Sequence, residues 1–166
     1  MSSLAQSSVS IDAPISVVWD VMVDVDAYAE WNPFIVDIDG PSGRPLGVGD
    51  DLVLHVRWSD GKGVTTRERI TRMEPPVAHG EVQRALLEYE LRGPIAALHL
   101  TRGRRLQALE QRAGEPTVYI TSERLHGLLV RLAPIDKVRD GFERHAAALK
   151  ARAEALSSRR VSDEGG

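Results

Sequence analysis

The chain has 166 residues, of which 42% are hydrophobic and 27% charged, with a formal net charge of −3 and a pI near 6.0. That length can bury a core of its own, and the mild acidity excludes the general basic excess by which proteins grip nucleic acid. With no cysteine in the chain, disulfides, thiolate nucleophiles and cysteine-ligated metals are excluded as well.

The first residues, "MSSLAQSSVS", carry neither a basic n-region nor an apolar run. No stretch approaches the roughly 20 apolar residues that span a bilayer, so a cytoplasmic location without a membrane span is expected. Residues 5–12, "AQSSVSID", alternate weakly and predict a strand. In "APISVVWDVMVD", Pro14 suits a first helical turn, and Ile15, Val18, Trp19 and Met22 recur at helical spacing. β-branched residues weaken that helix, so packing must hold it. The next stretch, "DAYAEWNPFI" (26–35), holds Tyr28, Trp31 and Phe34 in a chain with only three Trp, three Tyr and two Phe. Pro33 stops any helical turn before it, which predicts a short broken helix followed by a strand over 34–40.

Residues 39–51 form a turn-rich connection. In "DLVLHVRW" (51–58), Leu52, Leu54, Val56 and Trp58 share one face, and Val53, His55 and Arg57 the other, solvated one. "SDGKG" predicts a hairpin turn, and 64–73 the returning strand, ended by Pro75-Pro76. Residues 80–92, 103–111 and 116–126 predict three more strands, with turns at Gly93-Pro94 and Gly114-Glu115-Pro116. The period then becomes helical: Ile135, Val138, Phe142, His145, Ala146, Leu149, Ala153 and Leu156 follow steps of three and four. A helix over 135–156 would run roughly 33 Å, enough to cross a sheet. Gly141 lowers its propensity by about 1 kcal/mol, which is tolerable where something approaches the helix closely. Residues 157–166, "SSRRVSDEGG", read as a flexible tail after a single domain over 1–156.

Signatures of phosphate loops, nucleophile elbows, dinucleotide-binding turns and zinc helices are missing. The five histidines, at 55, 79, 99, 126 and 145, never pair at metal-ligand spacing. No metal and no cofactor are expected.

"SIDAPISVVWDVMVDVDAYAEWNPFI" closely resembles the opening of the START/Bet v 1-like superfamily (SRPBCC) in its polyketide cyclase/dehydrase branch. "VGDDLVLHV", "RITRMEPP", "RRLQAL", "TVYITSERLHG" and "GFERHAAALKARAEAL" follow in the order that family requires. The resemblance covers about residues 5–156. It implies an α+β helix-grip fold, with about seven antiparallel strands curved around the C-terminal helix and two short helices after the first strand. It also implies a cavity between sheet and helix for a hydrophobic small molecule, polyketide-, lipid- or isoprenoid-like. Trp31 and Phe34 would then plug one end of that cavity, or merely pack.

The resemblance further places Leu125 inward, and period 2 carries Thr117, Tyr119, Thr121 and Glu123 with it. Aligned with the family's strands, Arg105, Gln107 and Leu109 face inward, as do Leu87, Tyr89 and Leu91. On the helix, Val138, Phe142, His145 and Leu149 share the sheet-facing stripe. A register error of one residue would turn every strand candidate outward. Arg105 and Tyr89 are the candidate donors to an enolate oxygen, and Glu123 or His145 the candidate base for a proton next to a carbonyl. The competing readings are an Arg105–Glu123 ion pair, a hydrogen-bonded core His145, and a solvated Arg104. Three functions remain open at this point: a binder of a hydrophobic molecule, a polyketide cyclase, aromatase or dehydratase, and a protein-interaction module with a vestigial cavity.

Overall fold

The computed structural model describes residues 2–41, 43–93 and 102–164. The chain runs β1 (Ser2–Ile11), α1 (Ile15–Val23), a 3-10 turn (Val25–Ala27), α2 (Tyr28–Trp31), β2 (Ile35–Asp39) and β3 (Asp51–Arg57). It continues through β4 (Gly63–His79), β5 (Val82–Arg92), β6 (Arg102–Arg112), β7 (Thr117–His126), a 3-10 stretch (Leu128–Leu132) and α3 (Ile135–Glu164). The strands make one antiparallel sheet in the order β1-β7-β6-β5-β4-β3-β2. Strands β2 to β7 follow one another as neighbours, and β1 returns to pair with β7 from Ser2 opposite His126 to Ile11 opposite Thr117. Helix α3 lies against β1, β7, α1 and α2. This is the helix-grip arrangement.

Packing explains how α1 forms despite its valines. Ile15, Val17, Val18, Trp19, Val21 and Met22 are all buried, because α1 is held between α3 on one side and β4, β5 and β6 on the other. Each such side chain contributes about 1.5–3 kcal/mol on burial, more than the few tenths lost to β-branching. Polar ties fix the ends. Lys150 Nζ donates to the Ser10 carbonyl at 2.7 Å, and the Asp12 backbone N–H donates to Glu154 Oε1 at 2.8 Å.

Two expectations change. Pro75-Pro76 does not end the fourth strand, which continues to His79. Strand β3 pairs with β4 only as far as Arg69, so beyond it β4 is an edge, and the prolines sit where the β5 register shifts between Glu74 and Val77. An edge and a bulge are where a strand accepts residues without an N–H. The C-terminal helix also passes residue 157 and runs to Glu164, in about 45 Å. The turn expected at Gly93-Pro94 runs into residues 94–101, outside the described residues, as is His99.

Candidate functional site

Register sets what the sheet turns toward α3. Tyr89 on β5 faces Arg105 on β6, which faces Glu123 on β7. One row along, Leu87 faces Gln107 and Gln107 faces Thr121; beyond it Ala85, Leu109 and Tyr119 line up. Leu87, Tyr89, Arg105, Gln107, Leu109, Thr117, Tyr119, Thr121 and Leu125 are all buried, and Arg104 is exposed. The inner face is therefore the one read from period 2. Leu91 and Glu123 are partly buried.

The inner face divides into two layers. The deeper one is built of rings and amide groups. Trp31 lies 5.0 Å from Tyr28 and 5.5 Å from His145 between ring centroids, and Tyr119 lies 5.9 Å from His145. The Tyr119 hydroxyl donates to Gln107 Oε1 at 2.7 Å, and Gln107 Nε2 donates to the Tyr89 oxygen at 3.3 Å. Asn32 organises the rest. Its Oδ1 accepts the backbone N–H groups of Phe34 and Ile35, both at 3.0 Å, which leaves Nδ2 to donate to His145 Nδ1 at 2.7 Å. His145 Nδ1 must then be an unprotonated acceptor, so the neutral ring carries its proton on Nε2. Burial first, and Arg105 second, hold its pKa well below the usual histidine value. With its lone pair already engaged, His145 is poorly suited to act as a base.

The outer layer is hollow. A cavity of about 620 Å³ opens between the sheet and the start of α3. Of the residues singled out from sequence, Phe34, Leu91, Arg105, Glu123, Leu125, Val138 and Phe142 form its wall. Trp31, Leu87, Tyr89, Gln107, Leu109, Tyr119, Thr121 and His145 lie outside that wall, and those for which a ring contact or hydrogen bond is described belong to the packed layer. Leu54, Val56 and Trp58 of the third strand's apolar face line the cavity too, and Leu132, Ala133 and Pro134 line it from the loop before α3.

Two glycines make room. A Cβ at Gly141 would fall on the ring of Phe34, which is why α3 carries glycine there. A Cβ at Gly103 would lie 2.9 Å from Leu125 Cδ2, 3.1 Å from Glu123 Oε1 and 3.2 Å from Leu91 Cβ, so these three side chains close over the glycine.

Five charged groups line the cavity: Arg67 and Arg92 are exposed, whereas Arg105, Glu123 and Glu68 of β4 are buried or partly buried. Sequence reasoning missed Glu68 because Arg67 and Arg69 flank it and the run resembles a solvated edge. Its parity with buried Ile70, two residues on, was the available signal. Arg105 forms no direct ion pair among the described residues. Its Nε and Nη2 are buried without a partner, as is Glu68 Oε2, while its Cζ stands 4.9 Å from the centroid of the Phe142 ring. Burial pushes Glu68 above the ordinary carboxylate value, with Arg105 pulling the other way. Burial, then the nearby Glu68, push Glu123 up to about 7 against Arg105. Burial works against the Arg105 cation too, but Tyr119, Glu68, Tyr89 and Tyr28 together outweigh it. Away from the cavity, Asp37, Asp39 and His55 bring ligand atoms within 4.8 Å of one another on the β2–β3 surface, where His55 Nε2 bonds Asp39 at 2.9 Å.

Residues 4–154 match the family described as polyketide cyclase / dehydrase and lipid transport. The chain belongs to this family. No curated protein matches it by sequence. Among solved structures, it is similar to the major latex-like protein 151 of Panax ginseng at 12% identity and a TM-score of 0.68, covering 95% of this chain and 98% of that one. It is similar to a norcoclaurine synthase point mutant of Thalictrum at 14% identity and a TM-score of 0.61, covering 92% and 94%. It also resembles the di-domain ARO/CYC BexL of the BE-7585A biosynthetic pathway at 18% identity and a TM-score of 0.61, covering 94% of this chain and 50% of BexL. At these identities the likeness concerns the fold. For this family member, the cavity and the charged groups that line it are what chemistry must work with.

Proposed function

We propose that the protein binds a hydrophobic small molecule, polyketide-, lipid- or isoprenoid-like, in the cavity between the outer sheet and α3. The observation that carries this reading is a cavity of about 620 Å³ with aliphatic and aromatic walls and one buried guanidinium whose Nε and Nη2 lack partners. A ligand site of this size is usually an apolar enclosure with a few convergent polar groups. An unpaired buried donor costs about 1–3 kcal/mol, and a ligand oxygen met by a small turn of the shielded Arg105 side chain would relieve that cost. The ligand therefore has an apolar body and an acceptor oxygen. Native mass spectrometry of the purified protein, with titration by the uncharged dye Nile red, tests it. Val138→Trp fills part of the cavity and should weaken Nile red at least tenfold while the circular dichroism spectrum is kept. Equal affinity in a folded Val138→Trp variant would count against binding there.

A second reading, proton abstraction next to a carbonyl as in a cyclase or dehydratase, is favoured by one observation. Glu123, held at about 7, is cross-strand from the unpaired Arg105. A base matched to the working pH beside an oxyanion donor is the combination this chemistry needs. Norcoclaurine synthase and the ARO/CYC proteins share the fold, which supports the reading by analogy only. Turnover of a poly-β-ketone thioester, lost by about 10²–10³ in Arg105→Met and also in Glu123→Gln, would establish it. Absence of turnover in the parent would leave binding alone.

A further inference from the structure

We propose that the polar end of the cavity is a charge filter. Glu68 and Glu123, set around the single guanidinium of Arg105, admit a ligand with a neutral carbonyl or hydroxyl head and reject one that ends in a carboxylate. This inference rests on the cavity-binding reading above.

The placement is specific. Glu68 sits on β4 opposite Leu91 of β5, and Arg105 and Glu123 sit opposite one another on β6 and β7. With glycine at 103, opposite Leu125, Glu123 Oε1 reaches beside Leu125 and Leu91 over that position, and so out of its own row toward that of Glu68, which pairs with Leu91. Among the buried and partly buried groups of the wall, two acidic side chains thus stand with one cation beside Leu54, Val56 and Phe142; Arg67, Arg92 and Thr65 are exposed. None of the three neutralises another by direct contact, since no ion pair joins them among the described residues and both Arg105 and Glu68 keep unpartnered atoms. Glu68 is held from one side, by Thr66 Oγ1 donating to its Oε1 at 3.3 Å.

At a pH where both glutamates are ionised, a ligand carboxylate entering this end would meet one attraction and two repulsions. In a buried site those terms are several times larger than in water. To enter, the ligand or one of the glutamates would have to take up a proton. A ketone or ester oxygen meets no such penalty. Nε and Nη2 of Arg105 and Oε2 of Glu68 are shielded as the side chains stand; a small turn of Arg105 lets the ketone oxygen accept from its N–H groups, and a turn of Glu68 lets a neighbouring hydroxyl donate to its oxygen. Two more cations, Arg67 and Arg92, stand at the rim. They are exposed and occupy a facing pair of the β4–β5 ladder, where water and salt screen them, so they do not reverse the sign inside.

The test uses two probes with the same ring system, 2-acetonaphthone and 2-naphthoate, titrated at pH 8 into the intact protein by calorimetry, with Nile red as the control for the cavity. The ketone should bind at least tenfold tighter than the acid. Glu68→Gln keeps the side chain's volume and its bond to Thr66, and should shrink the ratio several-fold by strengthening naphthoate. Glu123→Gln should act in the same direction. Naphthoate binding as tightly as the ketone overturns the filter, and so does a ratio that neither substitution moves. Nile red binding with neither naphthalene compound bound overturns this inference alone. No binding of any of the three overturns the cavity-binding reading and this inference with it.

Discussion

Gly141→Ala separates tertiary packing from helix propensity by the sign of its effect. Glycine to alanine inside a helix ordinarily stabilises by about 1 kcal/mol. Here the new methyl would meet Phe34, with ring atom Cζ only 2.6 Å away and two other ring carbons closer, where ordinary contact begins near 3.4 Å. The ring has little freedom to retreat. Phe34 is 4% exposed and stands 5.9 Å edge-on from Phe142, 5.8 Å from Trp58 and 5.8 Å from the Arg144 guanidinium. Arg144 also ties Pro33 and Arg57 to the helix through their carbonyls, so moving Phe34 strains the join of β2, β3 and α3. Overpacking of this kind costs about 1–3 kcal/mol, occasionally more, and a ring displacement of this size belongs at the upper end. The balance is a destabilisation of about 1–2 kcal/mol. Urea unfolding should show it as a lower midpoint with an unchanged slope. Phe34→Leu should cost less in the Gly141→Ala background than in the parent, because the two sites are coupled. A Gly141→Ala protein more stable than its parent would refute the packing argument.

Other perturbations follow from the same geometry. Phe142→Asp puts an unpaired charge where Phe142 is 1% exposed and should abolish near-ultraviolet circular dichroism; retained cooperative unfolding would contradict the docking of α3. Asn32→Leu removes the acceptor of two backbone N–H groups and the donor to His145, at a cost of about 2–4 kcal/mol in chemical denaturation. Nitrogen-15 shifts of His145 should report a neutral ring with its proton on Nε2 and no titration between pH 5 and 8. A raised carboxyl pKa means that the folded state binds the extra proton, so Glu123 contributes stability at low pH that is lost as pH rises from about 4.5 through about 7. His145, buried neutral, has the opposite slope below pH 6.5, so the parent curve is a compromise. The Tm of Glu123→Gln relative to the parent should therefore climb from pH 5 to 8, and a pH-independent difference would contradict the shift.

The strands were legible because alternation is a local property: once one inward residue is known, period 2 assigns the face of its whole strand. Gly141 was legible as a point of close approach, although only the structure identifies Phe34 as the neighbour. Depth was not legible. Period 2 gives Tyr89 and Arg105 the same face, but it says nothing of how far α1, α2 and the Asn32 turn fill the space above that face. Rings and amides occupy that space for this reason, whereas a cavity opens beside Arg105. Glu68 was hidden by its arginine neighbours, since a charged run on a strand is ordinarily solvated. Pro75-Pro76 reads as a stop unless the length of β3 is known, because the free edge that tolerates it is a non-local fact.

A ligand that binds as proposed enters the outer cavity and places an acceptor oxygen against Arg105. The most direct measurement is the Arg105 Nε–H resonance followed by NMR during titration with 2-acetonaphthone, assigned through its loss in Arg105→Lys. Binding there should give a saturable shift of that resonance together with those of Val138 and Phe142. Shifts confined to the outer face of the sheet, around Val77, Val118 and Ile120, with Arg105 unmoved, would contradict it.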